Sequence, residues 1–70
     1  MELELTVGFG LEATTIACTD LVQAIQQMEK LAKAGADPIV LFSDGDPVLC
    51  VGKDYNCKLR GIPVPRVTFQ

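Results

Sequence analysis

Residues 19–42 carry the strongest pattern in the chain: an amphipathic stretch followed by an apolar one. Leu21, Ala24, Ile25, Met28, Leu31 and Ala32 recur at the helical period, with Gln23, Gln26, Gln27, Lys30 and Lys33 between them. The spacing predicts one helix. Thr19 or Asp20 can cap its start, because a short side-chain oxygen there accepts from an otherwise orphaned amide. Asp20 with Gln23 three residues on approximates a capping box. Glu29 stands one turn before Lys33, the favourable order for an exposed ion pair. Gly35 suits the helix end, since glycine enters the left-handed region without a Cβ clash. Asp37 before Pro38 favours an extended entry into the next element.

That element reads as a hairpin. Residues 39–42 and 48–51 are apolar runs around an Asp44-Gly45 turn. A two-residue loop pairs Leu41 with Val48 and Val40 with Leu49. One face then carries Ile39, Leu41, Val48 and Cys50. The other carries Val40, Phe42, Leu49 and Val51. Both faces are apolar, whereas a single helix covers only one; a three-residue turn with a bulge would change the register but is expected to leave both faces apolar.

Residues 2–9 alternate, with Leu3, Leu5, Val7 and Phe9 against Glu2, Glu4, Thr6 and Gly8. This predicts a strand with one wet face. Gly8-Phe9-Gly10 marks a bend. In residues 11–18, Thr14, Thr15 and Ile16 are β-branched and favour a short strand paired with the first; Glu12 and the alanines also suit an early helical turn. After the hairpin, residues 52–57 form a polar turn. Pro63 and Pro65 make residues 58–70 a basic edge segment or tail, and residues 64–69 can add an edge strand. The expected architecture is a two-layer α+β domain: one helix on a small, mainly antiparallel sheet, in the order β-β-α-β-β with a possible C-terminal edge strand.

Seventy residues make one small domain, and an apolar fraction of 49% excludes disorder as the main state. No apolar run approaches the length of a membrane helix. Glu2 and Glu4 argue against a secretory leader, so a cytoplasmic location is expected. Three cysteines without a C-x-x-C pair, in a chain lacking histidine, make a poor disulfide framework and a poor zinc site. Reduced cysteines acting as small hydrophobes are expected, with a Cys50–Cys57 bridge or a thiolate metal site as the alternatives. No cofactor or metal is expected.

Charge is unevenly placed. Residues 1–52 hold eight acids and two bases, a net −6; residues 53–70 hold four bases and one acid, a net +3. Lys53, Lys58, Arg60 and Arg66, with Tyr55 and Phe69 as aromatic platforms, form a candidate nucleic-acid contact. The acidic body, which repels a polyanion, weighs against it.

Other candidate chemistry is thin. Gly8-Phe9-Gly10-Leu11-Glu12-Ala13 matches a dinucleotide fingerprint, but β-branched residues stand where its helix should open. Asp44-Gly45-Asp46 starts like a calcium loop, but Val48 and Tyr55 occupy the fifth and twelfth positions. Cys57, near Lys53, Lys58 and Arg60, is the one candidate nucleophile for a thiol-dependent enzyme or metal protein. The favoured expectation is a non-enzymatic protein-interaction module that forms a homodimer or docks on a larger protein through Val40, Phe42, Leu49 and Val51. Small inhibitors encoded by phages or mobile elements fit this size and lack of chemistry.

Overall fold

The computed structural model describes residues 2–53 and 56–69. In chain order these form β1 (Leu3–Val7), a 3-10 turn (Gly10–Glu12), β2 (Thr14–Cys18), α1 (Leu21–Lys33), β3 (Ile39–Ser43), β4 (Asp46–Val51), β5 (Lys58–Leu59) and β6 (Ile62–Pro63). The first four strands make one antiparallel sheet in the order β2-β1-β3-β4. The helix packs on one face, giving the expected two-layer α+β arrangement. Residues 11–18 hold both elements that the sequence allows, a 3-10 turn and then a strand.

Local chemistry sets the helix ends. The Asp20 carboxylate accepts from the Gln23 amide at 2.8 Å. The Gln23 side-chain oxygen accepts in return from the amide and hydroxyl of Thr19, at 2.6 and 2.8 Å. At the other end the Gly35 amide donates to Ala32 and the Ala36 amide to Leu31. Gly35 takes a φ of 91°, so the terminus is a Schellman motif. Lys33 and Glu29 pair at 3.5 Å on the exposed face.

The helix-side core is Leu3, Leu5, Ala24, Met28, Ile39 and Leu41. β1 lies at the middle of the sheet, so its alternation is the cleanest: Leu3 and Leu5 are buried and Glu4 is exposed. Ile25 and Leu21 are less covered than the periodicity predicts. Ile25 is half-buried and Leu21 exposed, because the stripe facing the sheet centres on Ala24 and Met28.

The hairpin departs from the expected register. Asp44 and Gly45 both take positive φ, 50° and 87°, as a two-residue primed turn requires. Ser43 then pairs with Asp46 and Phe42 with Pro47, but the ladder shifts by one residue between Leu41 and Phe42. Beyond that bulge Leu41 opposes Leu49, Val40 opposes Cys50, and Ile39 opposes Val51. Leu49 and Val51 therefore join the helix-side core instead of the second face. Val48 is left 38% exposed. Two physical causes act together. Pro47 has no amide to give a regular ladder and is tolerated at bulges. The shift also puts two larger side chains, rather than Val48 and Cys50, on the helix side of the sheet.

The hairpin's part of the second face is covered by the chain itself. Cys50, Cys57 and Val64 form a small buried cluster with Val40 packed against it. Cys50 and Cys57 are joined as a disulfide with their Cα atoms 5.7 Å apart. The expectation of three reduced cysteines is thus corrected: the bulge turns Cys50 toward the segment that folds over it, within disulfide reach. Past β6 the chain lines the edge of β4. The Cys50 amide donates to Pro65 at 2.8 Å and the Val67 amide to Cys50 at 2.9 Å, a parallel bridge at Arg66. Val64, before the bridge, packs on the second face, while Val67 and Phe69, beyond it, pack on the helix-side core. One short segment thereby seals an edge and touches both layers.

The Asn56 amide donates to the Asp37 carboxylate at 3.2 Å, which satisfies a buried polar side chain. Gly52 passes so close to Asp37 and Pro38 that an added Cβ would collide with the Asp37 carboxylate.

Candidate interaction surface

The four residues expected to share an association face are distributed over three environments. Leu49 and Val51 pack against the helix-side core. Val40 is half-buried against the Cys50, Cys57 and Val64 cluster. Of the four, Phe42 alone lines the groove of about 540 Å³ between the hairpin and the C-terminal segment, while Val51 also borders a separate hollow beside Lys53.

The groove is built from two turns of the same kind. Phe42 and Pro47, paired across the base of the first hairpin, form one side. Leu59, Ile62 and Pro63 of β5 and β6, followed by Pro65, form the other. Lys58 pairs with Pro63 and Leu59 with Ile62, so Arg60 and Gly61 make a second two-residue loop. Both take positive φ, 54° and 79°. The outer wall stays wet: Ile62 is 68% exposed and Leu59 37%. Asp46 and Arg60, of opposite charge, border this apolar surface. Sequence reasoning missed the second hairpin. Its signal was Arg60-Gly61 between Leu59 and Ile62, a weaker relative of Asp44-Gly45.

The described basic residues of the candidate nucleic-acid contact line three hollows, two of which share Pro63 and Val64. Lys58 and Arg66 line a small depression beside Cys57. Arg60 stands at the groove, and Lys53 lines a separate hollow near Val67 and Phe69. Tyr55 lies outside the described residues.

The remaining chemical candidates resolve into structural parts. Cys57 is buried and disulfide-bonded, so it offers no thiolate. Cys18 is the free cysteine. Burial first, and then the Asp20 carboxylate, pushes its thiol above the ordinary value, which makes it a poor nucleophile at neutral pH. Asp44 ties the turn to the start of β1: its carboxylate accepts from the Glu2 amide and its amide donates to the Glu2 carbonyl, both at 2.8 Å. Gly8 and Gly10, at φ of 90° and 57°, shape the 3-10 turn, and the Gly8 amide donates to Pro38. Among the described residues no three histidine, cysteine or acidic side chains converge as metal ligands. No described helix is long and apolar enough to cross a membrane.

The chain matches no protein-family model, no curated protein and no solved structure.

Proposed function

We propose that this protein is a small non-enzymatic interaction module that associates with a second copy of itself through the groove beside Phe42. The observation that carries this reading is the shape of that surface. A protruding apolar residue, Ile62, stands next to an apolar concavity on the same patch. Knob and hole on one patch are what a two-fold interface needs, since each copy then inserts into the other. Charge supports the same occupant. Arg60 and Asp46 border one groove, so a two-fold arrangement can pair each arginine with the other copy's aspartate.

Chemistry supports a binding rather than a catalytic role. The chain has no histidine, and the cysteine nearest the basic residues is held in a disulfide. A larger partner protein that fills the groove in place of the second copy is the competing outcome.

The test is the mass in solution, read by light scattering across a concentration series up to about 1 mM, where even weak pairs form. The wild-type chain should reach twice its monomer mass. Ile62→Lys, at a site exposed enough to leave the fold intact by circular dichroism, should raise the dissociation constant by about tenfold or more. A wild-type chain that stays monomeric throughout, or a dimer indifferent to Ile62→Lys, would refute the groove as a self-association site.

A further inference from the structure

We propose that β2 is a strand-addition site that accepts an extended protein segment with basic flanks. The inference rests on how differently the two edges of the sheet are treated. Natural sheets protect an edge with proline, a bulge, a charged residue or a covering segment. The β4 edge has three of these: Pro47, the bulge near Leu41, and the bridge to Arg66. The β2 edge has none among the described residues. It lies outermost in the sheet. Its register with β1 runs unbroken from Leu3 opposite Cys18 to Val7 opposite Thr14. Thr14, Thr15, Ile16, Ala17 and Cys18 include no proline and no charge.

An unbroken edge presents alternate amides and carbonyls in the spacing another strand requires. Its two faces also specify what could be added. Ile16 and Cys18 are half-buried on the helix side, whereas Thr15 and Ala17 are exposed on the other. An added strand would extend both layers with apolar side chains on one face and polar ones on the other.

Electrostatics selects the partner. Glu12 precedes β2, Asp20 follows it, and Glu4 stands opposite Ala17. No lysine or arginine occurs before Lys30. The edge therefore favours an incoming segment with lysine or arginine beyond its paired residues. The same acids oppose a second copy, because two-fold antiparallel pairing centred on Ile16 sets Glu12 opposite Asp20 of the other chain.

The probe is a library of random peptides displayed on phage, selected on the whole disulfide-bonded chain. Enriched peptides should alternate apolar and polar residues with basic flanks. Their binding should slow hydrogen exchange at alternate amides of Thr14–Cys18. Ala17→Lys adds an edge charge at an exposed site and should weaken binding by about tenfold or more. Three results would each overturn the proposal: no enriched peptide, peptides that slow exchange only around β5 and β6, or a doubling of mass that Ala17→Lys abolishes. The groove reading is judged by Ile62→Lys and mass, this one by amide exchange in β2, so either can fail alone.

Discussion

Replacing Met28 by alanine is the most direct probe of how α1 sits on the sheet. Met28 is fully buried among Leu3, Leu5, Ile39 and Leu41. The change removes three methylene-sized groups, about 2.4 kcal/mol of transfer free energy at about 0.8 kcal/mol each. Incomplete collapse of the cavity adds to this, for a total of about 3–4 kcal/mol. A domain of this length has about 4–10 kcal/mol of stability in all, so the variant should be close to unfolding. Ile25→Ala should cost only about 1 kcal/mol, because Ile25 is half-buried and already meets water on one side. Gln26→Ala, on the exposed face, should stay within about 0.5 kcal/mol of wild type. Urea unfolding followed by circular dichroism measures all three, given an unchanged slope with denaturant. If Ile25→Ala cost as much as Met28→Ala, the helix would be rotated from the phase described, and the core assignment would fail with it.

The thiols provide two further predictions. Native protein without reductant should titrate one free thiol, Cys18, and three after full reduction. Reduction should cost about 2–3 kcal/mol in urea unfolding, the loop entropy of a cross-link spanning a separation of seven residues. Three titratable thiols in the native, unreduced protein would contradict the bridge. Cys18 itself should alkylate more slowly than a free thiol at the same pH. Because burial raises its folded pKa, the folded state holds that proton more tightly. Its contribution to stability is full below the ordinary thiol value of 9.0 and falls as pH rises through the higher folded value. Stability that rose across this window in the Cys18-containing protein, relative to Cys18→Ala, would show the opposite shift.

What the sequence determined by itself was the set of features settled within a few residues. Asp20 with Gln23 starts the helix and Gly35 ends it, because orphaned amides and left-handed backbone are satisfied locally. Asp44-Gly45 makes the hairpin turn for the same steric reason. The alternation of Leu3, Leu5 and Val7 against charged and polar neighbours named the buried side of β1. From these the order and layering of the α+β fold follow. The side of β4 that faces the helix did not follow, because 48–51 is apolar at every position and a period of two cannot choose between identical alternatives. Tertiary packing made that choice through the bulge, which trades one regular step of the ladder for packing of Leu49 and Val51 on the helix-side core. The fate of Cys50 and the groove beside Phe42 depend on the same event. Once Cys50 turned to the second face, the segment carrying Cys57 and Val64 had an apolar surface to fold on. Contacts of that kind join residues distant in sequence, and their energies compare whole arrangements of the chain rather than the preferences of any short stretch of it.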